Sequence, residues 1–207
     1  MVTTSSVVAW LQKLNDVYTE NKSYLTELDS AIGDADHGIN MARGFAKVAE
    51  AIEQQAPEDI GAACKTVSMT LIKTVGGASG PLYGTFFLKG SMQAAGKTEL
   101  DAKGLLDLLE AGVDGVVARG KAELEDKTMV DAWLPAIEAM KAAVDQGIGP
   151  MLAAGVEAAE NGMKATIPLV ARKGRASYLG ERSKDHQDPG ATSTHLMLKA
   201  ASETLAG

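Results

Sequence analysis

The stretch Asp29-Ser-Ala-Ile-Gly33-Asp34-Ala-Asp36-His37-Gly38 lies between two segments whose apolar residues recur with helical spacing. Asp34 and Asp36 are too close in sequence to share one helical face, so we expect a turn, which the two glycines make easier. The flanking apolar residues follow the i, i+4, i+7 spacing of amphipathic helices, with Val7, Leu11, Leu14 and Tyr18 before the turn and Met41, Phe45, Val48 and Ile52 after it. The stretch therefore predicts two helices joined by an acidic turn.

Helical spacing continues through the rest of the chain. Short runs of Gly, Pro or Asp separate six further segments, and no stretch alternates with the period of a strand; the segments are 60–73, 82–95, 100–119, 130–144, 151–170 and 192–205. Eight helices with short connections predict an all-α fold, an antiparallel bundle or closed barrel. Pro135 and Pro168 lie inside two segments, where we expect kinks or breaks. The apolar stripes would form a packed core or line a lumen that admits lipid.

Composition narrows the class of protein. The chain has 207 residues, 45% of them hydrophobic, and no Pro- or Ser-rich linker divides it, so we expect a single domain over residues 1–207. The formal net charge of −7 argues against a nucleic-acid partner, which requires a basic face. One cysteine excludes internal disulfides, and we find neither a signal peptide nor an apolar span long enough for a bilayer. We expect a cytoplasmic protein that does not bind membranes.

The acidic turn is a candidate metal site. Asp29, Asp34 and Asp36 supply three carboxylates within eight residues, and Mg²⁺ takes oxygen ligands from a few carboxylates together with substrate phosphates. The alternative is that a short acidic side chain caps the next helix. An EF-hand is excluded because counting from Asp34 places Gly38 at loop position 5, whereas the EF-hand glycine is sixth.

Two further loops are candidate phosphate sites. The first is Gly76-Gly77-Ala78-Ser79-Gly80-Pro81, in which consecutive glycines let backbone N–H groups converge on an anion and Ser79 adds a hydroxyl donor. The second is the loop 172–190, which lacks helical spacing and carries five of the 20 Lys and Arg residues of this acidic chain. Arginine suits bidentate phosphate contacts. An ordinary interhelical turn and a solvated charged loop remain the alternatives for the two segments.

Four motifs in this order closely resemble the nucleotide-binding, DhaL-type subunits of dihydroxyacetone kinases, and the resemblance runs from about residue 7 to the end of the chain. The motifs are Gly33-Asp34-Ala-Asp36-His37-Gly38-Ile-Asn40, Gly76-Gly77-Ala-Ser79-Gly80-Pro-Leu-Tyr-Gly84-Thr, Arg119-Gly120-Lys-Ala-Glu followed by Asp126-Lys-Thr128-Met129, and Gly174-Arg175-Ala-Ser-Tyr-Leu-Gly180-Glu-Arg182 followed by His-Gln-Asp188-Pro-Gly190-Ala-Thr192. The resemblance implies an eight-helix barrel with ADP or ATP and two Mg²⁺ ions at one end.

The resemblance also implies roles for individual residues. The two Mg²⁺ ions would be held by Asp29, Asp34 and Asp36. Nucleotide contacts would come from His37, Gly38, Ile39, Asn40, Ala78, Ser79, Gly120, Met129, Arg175, Asp188, Pro189, Gly190, Ala191 and Thr192. Within that set, Gly120 and Met129 would lie on the adenine side, and the segment 188–192 would close over the nucleotide. The histidine that captures the sugar belongs to another subunit, so we expect no nucleophile among the three histidines here.

The resemblance implies a phosphotransferase subunit that acts on dihydroxyacetone held by a partner kinase subunit. In one scheme, bound ADP is rephosphorylated in place by a phosphohistidine carrier of the phosphoenolpyruvate-dependent phosphotransferase system. The length of 207 residues leaves no room for a sugar domain and favours this scheme. A kinase subunit that uses free ATP, for dihydroxyacetone or a related ketose, is the alternative. A nucleotide-sensing adaptor of a regulator is an alternative of another class.

Overall fold

The computed structural model describes residues 1–207 and confirms an all-α fold. It has nine α-helices, namely α1 Thr4–Glu20, α2 Lys22–Ile32, α3 His37–Gln54, α4 Ile60–Thr74, α5 Ser79–Gln93, α6 Ala102–Gly120, α7 Val130–Ala143, α8 Ile148–Ala165 and α9 Pro189–Leu205. The count exceeds the expected eight because the first helical stretch breaks at Asn21, whose φ and ψ are −94° and 8°. The Asn21 side-chain amide donates to the Val17 carbonyl at 2.8 Å across this break.

Several details differ from the sequence-based expectations. A two-stranded antiparallel ladder pairs β1 (Val2–Thr3) with β2 (Glu99–Leu100), so the expectation of no sheet was wrong. Pro168 lies beyond α8, which ends at Ala165, whereas α7 continues through Pro135. Short 3₁₀ turns occupy Val144–Gln146 and Arg175–Ser183, the latter within the loop expected to lack helix.

Eight of the helices form a closed ring. Each packs against its neighbours in the order α1, α3, α4, α5, α6, α7, α8 and α9, and α9 returns to α1. Two hydrogen bonds cross the closing contact, from Trp10 Nε1 to the Met197 carbonyl at 3.2 Å and from the Tyr18 hydroxyl to the Ser193 carbonyl at 2.8 Å. Most neighbours in the ring are joined by short connections and run antiparallel, as expected for a barrel, whereas the connection from α8 to α9 spans residues 166–188.

The interior of the ring is a core of 46 buried residues. Aromatic side chains pack in its centre, where Phe86 stacks on Trp133 with ring centroids 4.7 Å apart and meets Phe87 edge-on. The helix α2 lies outside the ring against α3 and α9. None of the helices combines the length and the apolar character that crossing a bilayer would need.

Candidate functional site

One end of the barrel contains a cavity of about 410 Å³. Residues at the beginnings of four alternate helices line it: His37 of α3, Ser79 of α5, Val130 of α7 and Pro189 of α9. The first N–H groups of a helix have no partner within the helix, and the helix dipole adds positive potential there. Four such termini around one cavity make it suitable for an anionic ligand.

The three aspartates of the acidic turn lie together at this cavity. One carboxylate oxygen from each of Asp29, Asp34 and Asp36 can be chosen so that all three lie within 4.8 Å of one another. Asp29 is buried, and its Oδ2 accepts the backbone N–H groups of Asp36 at 2.8 Å and His37 at 3.0 Å. Asp29 therefore caps α3 through one oxygen, while the cluster still offers several carboxylate oxygens.

This donor set fits Mg²⁺, which prefers carboxylate oxygens and retains water. The Asp34 side chain is more exposed than that of Asp29, which leaves space for water and phosphate oxygens beside the cluster. The metal and cap interpretations of the turn are compatible, since Asp29 serves as a cap and remains beside the other two carboxylates.

Arg175 joins the basic loop to the acidic turn. Its guanidinium lies 3.0 Å from Asp34 Oδ2, and 66% of its side chain is exposed. Exposed ion pairs contribute little to stability. The relevant feature of Arg175 is therefore that its guanidinium lies at the cavity. An arginine here can contact phosphate oxygens bidentately.

A chain of hydrogen bonds leads from the glycine-rich loop into the core. Ser79 Oγ lies 3.0 Å from His37 Nδ1, and His37 Nε2 lies 2.9 Å from Ser193 Oγ. The Tyr83 hydroxyl lies 2.6 Å from the same Ser193 oxygen, which donates to the Gly190 carbonyl. Burial lowers the pKa of His37, although Asp29 and Asp36 act in the opposite direction. His37 is thus a buried positioning residue that connects α3, α5 and α9.

Asp188 caps α9 at the cavity wall. Its Oδ2 accepts the Ala191 N–H at 2.7 Å, and burial raises the pKa of its carboxyl to about 7. Gly190, which follows in the first turn, lies beside the backbone of Met129. This contact brings the predicted closing segment against the predicted adenine side of the cavity.

The cavity brings together most of the residues expected from the sequence. It is lined by Asp29, Asp34, Asp36, His37, Ala78, Ser79, Gly120, Met129, Arg175, Asp188, Pro189 and Gly190. Apolar side chains of Leu82, Val116 and Val130 line it as well and offer a surface for a base.

Five expected residues do not line the cavity. Gly38 lies against the backbone of α2, Ile39 faces a separate shallow surface pocket, and the Asn40 side chain accepts from Arg43 and lies close to Gly76. Ala191 and Thr192 are buried in the first turn of α9, where Thr192 Oγ1 donates to the Asp188 carbonyl. Gly38, Ala191 and Thr192 therefore support the backbone of the site without forming its surface, whereas Ile39 lies away from it.

The sequence-based reasoning missed several cavity residues. Tyr83, Lys127, Thr128 and Lys173 all line the cavity without having been assigned a role. Lys127 and Thr128 lie inside one of the four motifs, and a lysine among the acidic residues of that motif was an available signal. Tyr83 lies inside another of the motifs, but an aromatic residue within a helix is by default interpreted as part of the core.

The chain is similar in sequence to known proteins. A model of the DAK2 domain matches residues 31–203. The chain is 47% identical over 197 residues to the ADP-binding subunit DhaL of the PEP-dependent dihydroxyacetone kinase of Escherichia coli (strain K12), covering 94% of each chain. It is 41% identical over 206 residues to the ADP-binding subunit DhaL of the PTS-dependent dihydroxyacetone kinase of Lactococcus lactis subsp. lactis (strain IL1403), covering 100% of each chain.

A solved structure has the same fold. The crystal structure of the dihydroxyacetone kinase from C. freundii in complex with AMP-PNP and Mg²⁺ superposes with a TM-score of 0.74 at 24% identity. The superposition covers 95% of this chain and 33% of that one, so the chain spans about a third of the length of that kinase.

Proposed function

The chain belongs to the DAK2-domain family, among the DhaL-type ADP-binding subunits of dihydroxyacetone kinases, and from this we propose that it is the ADP-binding subunit of a phosphoenolpyruvate-dependent dihydroxyacetone kinase. As a single-domain cytoplasmic subunit, it passes a phosphoryl group from bound ATP to dihydroxyacetone held on a partner kinase subunit. A phosphohistidine carrier of the phosphotransferase system then rephosphorylates the ADP in place.

One observation carries the proposal. Three aspartate carboxylates, the N-terminus of α5 with Ser79, and Arg175 meet at one cavity. Phosphoryl transfer requires mainly positioning and charge neutralisation from a protein. The site supplies both, and we propose that no residue of the chain acts as a covalent nucleophile.

Each group of residues has a separate task in the proposed reaction. Asp29, Asp34 and Asp36 would hold two Mg²⁺ ions, whose charge stabilises the phosphate oxygens when they are bound. The first-turn N–H groups of α5 and the Ser79 hydroxyl orient phosphate oxygens. Arg175 adds a mobile positive charge at the same point. The α9 N-terminus and the loop before α7 form the wall that separates the nucleotide from water.

The source of the phosphoryl group can be tested directly. Helix termini and two loops surround the site, and Mg²⁺ ions would add further contacts to a bound nucleotide. We therefore expect slow nucleotide dissociation, the step in which affinity differences usually appear. Each chain should purify with about one bound ADP. Because this ADP must first be replaced or rephosphorylated, turnover with the sugar subunit and free ATP but no carrier should not exceed about one transfer per chain. Adding phosphocarrier and phosphoenolpyruvate should restore steady turnover. Sustained turnover on free ATP without a carrier would instead identify an ATP-dependent kinase subunit.

A further inference from the structure

Lys127 is the most deeply buried cation of the molecule, with 1% of the residue exposed. Its Nζ donates to four backbone carbonyls, those of Thr166 at 2.7 Å, Ile167 at 3.3 Å, Leu169 at 3.1 Å and His186. A lysine ammonium has three N–H donors, so this acceptor set satisfies all of them. No side chain has to neutralise the charge by direct contact.

These four carbonyls come from two segments that are distant in sequence. Three of them follow the C-terminus of α8, where the helix dipole favours a cation, and the fourth belongs to the loop just before α9. The two segments also contact each other, since the Asp185 N–H donates to the Ile167 carbonyl at 2.8 Å and the Asp188 N–H donates to Thr166 Oγ1 at 3.0 Å. Lys127 therefore joins a third segment, its own loop, to this pair.

The loop that carries Lys127 has an unusual backbone. Lys121, Glu125 and Lys127 all have positive φ, of 51°, 70° and 63°, a conformation that residues other than glycine rarely adopt. Such conformations persist only where surrounding contacts determine them. One such contact is Asp131, whose carboxylate accepts the N–H groups of Glu125 at 2.5 Å and Thr128 at 2.7 Å. Asp126 adds two more, since its carboxylate accepts the Glu123 N–H at 2.9 Å and its carbonyl accepts the Arg172 N–H at 3.1 Å. The buried ammonium of Lys127 is the contact that reaches both other segments.

The segments joined by Lys127 form one part of the cavity. Thr128, Met129 and Val130 line it directly after Lys127, and Asp188, Pro189 and Gly190 line it directly after the His186 segment. The aspartate cluster and the glycine-rich loop belong to other segments and make no hydrogen bond with Lys127. Lys127 thus supports one part of the cavity directly, whereas the aspartate cluster and the glycine-rich loop are joined to α9 through His37 and Ser193.

We propose that Lys127 is a positioning residue for the adenosine part of the nucleotide, holding the 121–129 loop and the start of α9 in the geometry that closes on the base and ribose. This inference rests on the proposed nucleotide function. If Lys127 is removed, the binding-competent arrangement of these segments becomes only partly populated, and the apparent affinity falls with that fraction. The loss should affect ADP and spare pyrophosphate, which occupies only the phosphate part.

The test compares two ligands by calorimetry in the full chain, first freed of bound nucleotide, with Mg²⁺ present. The parent should bind ADP more tightly than pyrophosphate. Lys127→Met should lower ADP affinity by at least about tenfold, the order expected when the competent fraction falls to a tenth, and should change pyrophosphate affinity by less than about threefold. Lys121→Met is the matched control, since Lys121 lies in the same loop with positive φ, is exposed and does not line the cavity. It should bind both ligands like the parent.

Each other outcome has a distinct meaning. Equal losses for both ligands in Lys127→Met would show a merely structural role, and unchanged ADP affinity would also overturn the inference. If the parent bound neither ligand, the proposed function itself would fail. Should Lys127→Met not fold, Asp131→Asn provides the second variant, because an amide has only one oxygen for the two N–H donors of the loop. It should show the same selective loss of ADP affinity, and an unselective effect would contradict the proposal.

Discussion

Single residues in the acidic turn combine structural and chemical roles. Asp29 accepts two N–H groups at the start of α3, whereas the side chains of Asp34 and Asp36 make no capping hydrogen bond. All three carboxylates belong to the candidate metal cluster, but only the removal of Asp29 should also lower the free energy of unfolding.

We predict that Asp34→Asn and Asp36→Asn lose Mg²⁺-dependent ADP binding and about 10²–10³-fold in transfer rate, because one positioned electrostatic group is removed. Their unfolding free energy should match that of the parent. Asp29→Ala should lose binding as well and about 1 kcal/mol or more of stability, because a helix cap is lost. Calorimetry and urea unfolding measure the two effects. Parent-like ADP binding in Asp34→Asn and Asp36→Asn would mean that the turn serves only as a helix start.

At the scale of elements, the start of α9 shows how a cap defines the site. The apolar spacing suggested a helix from residue 192, but α9 begins at Pro189 because Asp188 accepts the Ala191 N–H and proline suits a first helical turn. Burial raises the pKa of Asp188 to about 7, against about 3.9 in an unfolded chain. Between these values the folded protein keeps a proton that the unfolded chain has released.

The free energy of unfolding should therefore contain a contribution from Asp188 that is full below about pH 4 and is lost as the pH rises to about 7. Asp188→Asn removes this ionisation and retains a capping oxygen, since asparagine and aspartate cap about equally well. We predict that the difference in unfolding free energy between the variant and the nucleotide-free parent shifts in favour of the variant from pH 5 to pH 8, on the order of 2–4 kcal/mol. Urea titrations at both pH values measure the difference. A difference that does not vary with pH would contradict this prediction.

At the scale of the whole molecule, the ring closes because small residues let neighbouring helices approach. Gly162 of α8 lies directly against the backbone of Asp131 in α7, so an added Cβ would overlap the Asp131 carbonyl. At Gly149, in the first turn of the same helix, an added Cβ would lie 3.7 Å from its nearest neighbouring atom, which is an ordinary van der Waals contact.

This difference gives a matched pair of substitutions. Gly162→Ala should destabilise the protein by about 1–3 kcal/mol, because the clash is with backbone that cannot move aside. Gly149→Ala should be neutral or stabilising by up to about 1 kcal/mol, since alanine favours a helix over glycine. Chemical denaturation of both variants measures the contrast. Equal effects would show that the contact between α7 and α8 is not closely packed.

The sequence by itself determined the all-α fold, because apolar spacing directly reports which side of each helix faces the core. It also indicated the acidic turn and the two candidate phosphate loops, because Asp34, Gly76 and Arg175 belong to short motifs whose chemistry is local. The ends of the helices and the strands were harder to predict from the sequence. The break at Asn21, the cap at Asp188 and the small ladder between β1 and β2 depend on side-chain and long-range hydrogen bonds that spacing does not encode.

Only the tertiary structure decided which residues meet. Three sets of contacts join positions 39 to 187 residues apart. They are the closure of the ring between α1 and α9, the link from Ser79 through His37 to Tyr83, and the four carbonyls around Lys127. Such contacts form because buried polar groups must find partners inside the fold. A single sequence lists the donors and acceptors, but their pairing is set by the packing of helices around the core, and that packing made Lys127 a positioning residue.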